Sequence, residues 1–174
     1  PFAQAIADNP YAGSWASGGD LNTARYGVGG VGIQTAALSI SGYNTANVTN
    51  VESYNGSSWT EVADVSTARR FAGSGGTYTS AFLAGGHDGS PGYSGATEEY
   101  GGSSWTAGGA LGTARRDLAG GGTLTAGIVF GGNEPGFSNK TEEYDGSSWT
   151  AGGTLPSAIY AHAGTGTQTA ALSF

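Results

Sequence analysis

Apolar residues in this chain come in short runs. The clearest are Thr35-Ala-Ala-Leu-Ser-Ile40, Thr79-Ser-Ala-Phe-Leu-Ala84, Thr125-Ala-Gly-Ile-Val-Phe130 and Thr169-Ala-Ala-Leu-Ser-Phe174. Runs this short, bounded by glycine and small polar residues, suit strands. No stretch sustains a 3.6-residue apolar period, so essentially no helix is predicted. A glycine-rich segment precedes each run. A variable loop follows it and leads to Val51-Glu-Ser-Tyr54, Thr97-Glu-Glu-Tyr100 or Thr141-Glu-Glu-Tyr144. A tight turn then reaches a tryptophan. Each unit therefore supplies four strands: glycine-rich, apolar, tyrosine-ended and tryptophan-bearing.

The unit repeats. Trp15, Trp59, Trp105 and Trp149 lie 44, 46 and 44 residues apart. Tyr54-Asn-Gly-Ser-Ser-Trp59 recurs as Tyr100-Gly-Gly-Ser-Ser-Trp105 and Tyr144-Asp-Gly-Ser-Ser-Trp149, with a shorter Tyr11-Ala-Gly-Ser-Trp15 near the start. Aligned on tryptophan, Thr23, Thr67, Thr113 and Ser157 are equivalent, as are Arg25, Arg69, Arg115 and Ile159. Gly85-Gly86 and Gly131-Gly132 end two of the apolar runs, and Ser41-Gly42 stands there in the first. Four short antiparallel strands at such a period indicate an all-β propeller, one blade per repeat. A single blade cannot bury both its faces, so neighbours must cover one another. The expected organisation is one domain over 1–174, with units at about 15–58, 59–104 and 105–148 and a split fourth unit made of 149–174 plus 1–14.

A co-occurrence supports the split unit. Glu52, Glu98 and Glu142 stand two residues before each repeat tyrosine, and Arg25, Arg69 and Arg115 stand ten after each tryptophan. Both are missing together from the fourth unit, as Asn9 and Ile159. An Arg–Glu pair within each complete blade is the expected cause. The rival expectation is a piece of a longer propeller. A chain that opens at Pro1 and holds no methionine is expected to be a processed product or part of something longer.

Composition narrows the classes. Charged residues make up only 11% and aromatics another 11%, which opposes disorder. Without cysteine there are no disulfides, thiolate metal sites or cysteine nucleophiles. A net charge of −7 argues against a nucleic-acid partner. No apolar run approaches a membrane span, and no basic stretch followed by an apolar one suggests a secretory leader.

The order of marks resembles the kelch repeat: an apolar strand ending in Gly-Gly, a variable loop, then a tyrosine shortly before a tryptophan. Phe82-Leu-Ala-Gly-Gly86, Tyr100 and Trp105 carry it, as do Val129-Phe-Gly-Gly132, Tyr144 and Trp149. The resemblance covers nearly the whole chain. The wording Thr-Glu-Glu-Tyr-x-Gly-Ser-Ser-Trp-Thr, Thr-Ala-Arg-Arg and Gly-Thr-x-Thr-Ala is also similar to kelch-like repeat proteins of tailed bacteriophages, notably marine ones. That similarity implies a virion component such as a fibre, tail part or surface decoration. The galactose-oxidase type of kelch enzyme needs a modified Cys–Tyr and copper ligands, which a chain without cysteine cannot copy.

Candidate chemistry is sparse. The first arginine of each set, Arg25, Arg69 or Arg115, is expected to pair with Glu52, Glu98 or Glu142 as a packing element. Arg70 and Arg116 have less obvious partners and are the better ligand contacts, for phosphate, sialic acid or another anionic glycan. The loop from His87 to Ala96 carries His87, Asp88 and Tyr93, which suit sugar or protein contact as well as a solvated connector. Both sets of loops should lie on one face. His87 and His162 sit in different kinds of segment, and no nucleophile elbow, phosphate loop or paired metal ligands appear. Glu98-Glu99 and Glu142-Glu143 face opposite sides of a strand and make poor acid/base couples. Sialidase-like residue types exist, but at repeat-equivalent positions, which favours structure. Asn47-Val-Thr49, Asn55-Gly-Ser57 and Asn139-Lys-Thr141 match the glycosylation acceptor pattern, as chance allows in such a composition.

The expected function is therefore non-enzymatic. It is a phage virion protein without metal or cofactor, present in many copies, that contacts other virion subunits or a host-surface glycan or protein. The alternatives are a bacterial extracellular adhesion protein of the same fold and a glycan-active enzyme.

Overall fold

The computed structural model describes residues 17–89 and 92–174. Trp15 and the N-terminal half of the expected split unit lie outside the described residues. Every regular element among the described residues is a strand. Strands β1 (Gly29–Ile33), β2 (Ala36–Tyr43), β3 (Asn47–Tyr54) and β4 (Trp59–Glu61) form one antiparallel sheet in that order. The second sheet is β5 (Gly73–Thr77), β6 (Ser80–Ala84), β7 (Thr97–Tyr100) and β8 (Trp105–Ala107). The third contains β9 (Ala119–Thr123) and β10 (Ala126–Phe130), then β13 (Thr141–Tyr144) and β14 (Trp149–Ala151). A small hairpin, β11 (Asn133–Glu134) and β12 (Gly136–Phe137), sits in the loop after β10. Strands β15 (Gly164–Thr167) and β16 (Ala170–Ser173) make a final two-stranded sheet. Each four-stranded sheet thus runs from glycine-rich strand to tryptophan strand, in the predicted order.

Two glycine positions set the hairpins and the joints. The first two strands of each sheet connect through two-residue turns, with pairs Ile33↔Ala36, Thr77↔Ser80, Thr123↔Ala126 and Thr167↔Ala170. The repeat threonines Thr35, Thr79, Thr125 and Thr169 therefore sit in the turn instead of opening the strand. Just before it, Gly32, Gly76, Gly122 and Gly166 all have positive φ, and a Cβ on any of them would lie 2.2–2.3 Å from a carbonyl oxygen across the hairpin. Only glycine fits there. The second glycine of each Gly-Gly joins sheets: the Gly42, Gly86 and Gly132 N–H groups donate to the carbonyls of Arg69, Arg115 and Ile159 in the next repeat, at 2.9, 2.8 and 2.7 Å.

The second and third sheets bury both faces, as alternation along β6 makes plain. Ala81 and Leu83 pack with Leu38, Ile40 and Val51 of the first sheet, whereas Phe82 and Ala84 pack with Val129, Tyr144 and Trp149 of the third. Ile128 and Phe130 then face Ala171 of the last sheet. The aromatic pairs Tyr54–Trp59, Tyr100–Trp105 and Tyr144–Trp149 hold ring centroids 4.9, 5.0 and 4.7 Å apart. The Tyr144 hydroxyl donates to Glu99 of the preceding sheet, and burial with that carboxylate pushes Tyr144 up to about 12.

The glycine-rich edge strands lie side by side. β1 lies against β5, β5 against β9 and β9 against β15, with no comparable contact from β15 back to β1 among the described residues. Beside them runs a hydrogen-bonded spine. Gly27, Phe71, Asp117 and Ala161 occupy one repeat position and share left-handed φ values of 65°, 57°, 55° and 50°. The Phe71 N–H donates to Gly27 O, Asp117 N–H to Phe71 O and Ala161 N–H to Asp117 O, at 2.8, 2.8 and 3.0 Å.

Candidate functional site

Three buried clamps lie inside the sheets. Arg25 pairs with Glu52 at 2.6 Å, Arg69 with Glu98 at 3.1 Å and Arg115 with Glu142 at 2.8 Å, each within one sheet. Each carboxylate also accepts two backbone N–H bonds from the turn before its arginine. The donors are Asn22 and Thr23 for Glu52, Ser66 and Thr67 for Glu98, and Gly112 and Thr113 for Glu142. Burial alone would raise the Glu52 carboxyl, but these N–H groups and Arg25 outweigh it and hold it below the ordinary glutamate range. The guanidinium groups of Arg69 and Arg115 also cap the carbonyls of Leu83 and Gly131. These arginines are consumed by structure.

The turn donors escape sequence reading because a backbone N–H needs no particular side chain. The one available signal is Pro156. It occupies the position of Asn22, Ser66 and Gly112 in the fourth repeat and has no N–H to give. The fourth repeat thus lacks the arginine and the turn donor together.

One residue further along, the chain turns outward. The backbones of Tyr26, Arg70 and Arg116 bridge to Tyr43, His87 and Asn133, the residues just past each Gly-Gly. The arginine loops and the variable loops therefore meet on one face. The Arg70 guanidinium lies 4.4 Å from the Tyr43 ring centroid and 5.5 Å from that of Phe71, and donates to Asn47 Oδ1 at 3.0 Å. Arg116 lies 5.4 Å from the Tyr93 ring centroid, with Nε 3.5 Å from Asp117 Oδ2. Both arginines thus have partners, mostly aromatic faces, that their sequence context did not announce. Burial, then the charges of Arg70 and Arg116, hold His87 below its ordinary pKa and so favour the neutral ring. Asp88 is exposed and forms no side-chain hydrogen bond among the described residues. Burial raises the Asp117 carboxyl against the pull of Arg116, His87 and Arg70.

Arg70, Arg116, His87 and Tyr93 are thus gathered on one face. Tyr26, Tyr43, Asn47, Phe71 and Asp117 belong with them and were missed. Tryptophan alignment carries the signal that would have found some of them. The arginine ten residues after tryptophan recurs in the three clamped repeats, whereas the next position reads Tyr26, Arg70, Arg116 and Tyr160. Tyr160 stacks on Phe137 with ring centroids 4.3 Å apart, and both are exposed. This variable position forms a rim of two aromatics and two cations beside the spine.

Among the described residues, no three His, Asp or Glu side chains gather as a metal-binding group. No family model matches the chain, and no curated protein matches it at a significant level.

Proposed function

We propose that the chain is a non-enzymatic propeller-type scaffold whose rim contacts a host-surface glycan, serving as a component of a phage virion. The observation that carries the contact reading is the rim: Tyr26, Arg70, Arg116 and Tyr160 vary beside arginines committed to structure. Aromatic faces and arginines are the side chains that recognise sugar rings and their acidic substituents with little loss of conformational freedom. A rigid frame repeated over a particle would raise weak single contacts by avidity. The repeat phrasing supports the virion setting.

We further infer a four-unit ring with one blade shared between the two ends of the sequence. It is supported by two residues. Leu172 and Phe174 are 67% and 72% exposed, yet their equivalents Leu38, Ile40, Phe82, Ala84, Ile128 and Phe130 are at most 7% exposed. Those positions face the next sheet in every other repeat.

Glycan-array binding of the wild type and of the Arg70→Ala/Arg116→Ala variant tests the contact reading. Binding to bacterial surface glycans that falls at least about tenfold in the variant is expected. No binding, or binding indifferent to the change, overturns it. Glycosidase turnover that disappears in the variant overturns the non-enzymatic reading. Mass spectrometry of purified particles tests the virion setting, and absence of the chain from them overturns it.

A further inference from the structure

A groove of about 270 Å³ opens between the third sheet and the last hairpin. Its third-sheet wall includes Ile128, Thr141, Glu143 and Gly153. Counted from the repeat tyrosine and tryptophan, these are the equivalents of Phe82, Thr97, Glu99 and Gly109 in the second sheet. There the same four positions are covered by the tyrosine and tryptophan strands of the third sheet. The Phe82 ring meets Tyr144 and Trp149, with centroids 6.3 and 5.6 Å away. The Trp149 indole donates to Thr97 Oγ1 at 2.9 Å. The Tyr144 hydroxyl donates to Glu99 and accepts from the Gly109 N–H at 3.3 Å. The turn before Trp149 sits on Gly109, where a Cβ would collide with Ser147 O. Gly19 holds the same position against the first sheet, and a Cβ there would lie 2.7 Å from Ser57 O.

At the third sheet the polar parts of this seat are present, and they lack an occupant among the described residues. A Cβ on Gly153 would meet no atom within 4 Å. Glu143 Oε1 stands beside Gly152 as Glu99 Oε1 stands beside Gly108, 2.9 and 2.6 Å from where a Cβ would be. The half-buried Glu143 carboxylate nevertheless accepts no hydrogen bond among the described residues. The Thr141 hydroxyl turns onto Gly153 O instead of receiving an indole.

We propose that this groove is the seat of the chain's own Tyr11–Trp15 segment, with the Tyr11 hydroxyl donating to the Glu143 carboxylate, the Trp15 indole donating to Thr141 Oγ1 and the turn at Ser14 resting on Gly153. The inference rests on the shared-blade reading and names the contacts that hold the blade in place. Two observations select this occupant. The phrase that ends in tryptophan occurs four times, and three copies are already placed as the pairs Tyr54–Trp59, Tyr100–Trp105 and Tyr144–Trp149. The fourth, Tyr11-Ala-Gly-Ser-Trp15, lies outside the described residues. The chain leaving it is in repeat register: Gly19, four residues past Trp15, accepts the Trp59 indole N–H at 3.0 Å, as Ala63, four past Trp59, accepts that of Trp105 at 3.0 Å. The chemistry agrees. A carboxylate and a hydroxyl at the wall leave a wholly apolar guest unfavourable, and Glu143 repels an anion. A tyrosine and a tryptophan bring one donor each on a large apolar body.

The test follows the four indole N–H signals of nitrogen-15-labelled protein by NMR, each assigned through a Trp→Phe substitution. The Trp15 indole should exchange with solvent at least about tenfold more slowly than an exposed indole. Thr141→Val should restore fast exchange at Trp15 and leave the other three unmoved, just as Thr97→Val should act on Trp149 alone. Tyr11→Phe and Glu143→Ala should each lower the folding equilibrium constant about tenfold, and the double variant should fall little further. A nitroxide on the single thiol of Ser157→Cys decides whose segment is seated. It should broaden the Trp15 signal when label and isotope share a chain, and leave it sharp in a dilute mixture where they do not. Fast exchange at Trp15, indifferent to Thr141→Val, overturns the proposal. So does broadening that occurs only between chains, which would mark an exchanged segment. If Asn9→Cys/Ser173→Cys closes a disulfide within one chain while Trp15 exchanges freely, the seat fails and the shared blade stands. If neither is seen, the shared blade fails with it.

Discussion

Glu142 accepts hydrogen bonds from the Arg115 guanidinium and from two backbone N–H groups, Gly112 and Thr113, with almost no exposure to water. Removing one member of such a set leaves the others buried and unpaired, and the penalty exceeds the net worth of the pair. Arg115→Met should therefore destabilise the protein by about 3–5 kcal/mol in urea unfolding. The double variant Arg115→Met/Glu142→Leu separates two kinds of buried ion pair. A simple pair replaced by apolar residues would return nearly to wild-type stability. Here the turn N–H groups would lose their acceptor, at about 1–3 kcal/mol each, so the double variant should remain at least about 2 kcal/mol below wild type. Full recovery would mean that the carboxylate does not organise the turn.

At the scale of the element, the spine and the Gly-Gly joints respond oppositely to glycine. Ala161 holds φ near 50° with its N–H bonded to Asp117 O, so Ala161→Gly removes strain without removing a bond. Calorimetry should show a gain of up to about 1 kcal/mol, the left-handed strain relieved less the extra freedom glycine gives the unfolded chain. Gly86 is the reverse case. Its φ is 106°, and a Cβ would lie 2.9 Å from the Arg70 carbonyl oxygen. Gly86→Ala should cost roughly 1–3 kcal/mol through strain at a joint between sheets. This contrast also marks what was legible in the sequence. Gly85-Gly86 and Gly131-Gly132 stand out because a position that forbids a side chain repeats as glycine. Phe71, Asp117 and Ala161 share one left-handed conformation and do not stand out, because each tolerates the strain with a different side chain. The strand order was readable for the same reason: alternating apolar positions face two neighbouring sheets and recur. The hairpin at Asn133–Phe137 was not, since it occurs in one repeat only. At the site, Arg70, Arg116, His87 and Tyr93 were readable as unusual residues in variable loops, whereas their assembly with Tyr43, Asn47 and Asp117 depends on pairings beside the glycine-rich edge. Those pairings are backbone bonds, which leave no residue signature.

Across the whole molecule, the repeat logic makes a demand at the last sheet. Each complete sheet presents two large or branched residues, or their small counterpart, to the sheet that follows, and covers them. β16 presents Leu172, and Phe174 follows it, with nothing over either among the described residues. The second and third strands pair in fixed register: Ser39 with Glu52, Leu83 with Glu98, Val129 with Glu142. Carried into a shared fourth blade, that register would set Ser173 opposite Asn9, a position without the arginine clamp, so the pair could be changed without breaking one. The chain has no cysteine, so the double substitution Asn9→Cys/Ser173→Cys introduces the only two thiols. A shared blade brings their β-carbons to disulfide distance, about 3.5–4.5 Å. Mild oxidation of dilute protein should then give a monomer that migrates faster on non-reducing gels and melts higher than its reduced form. Disulfides that form only between chains would instead indicate a head-to-tail contact, in which the exposed face of one copy seats on the first sheet of another and the series continues as an open filament. The two outcomes start from the same unsatisfied surface, and the geometry of closure alone decides between a ring and a fibre.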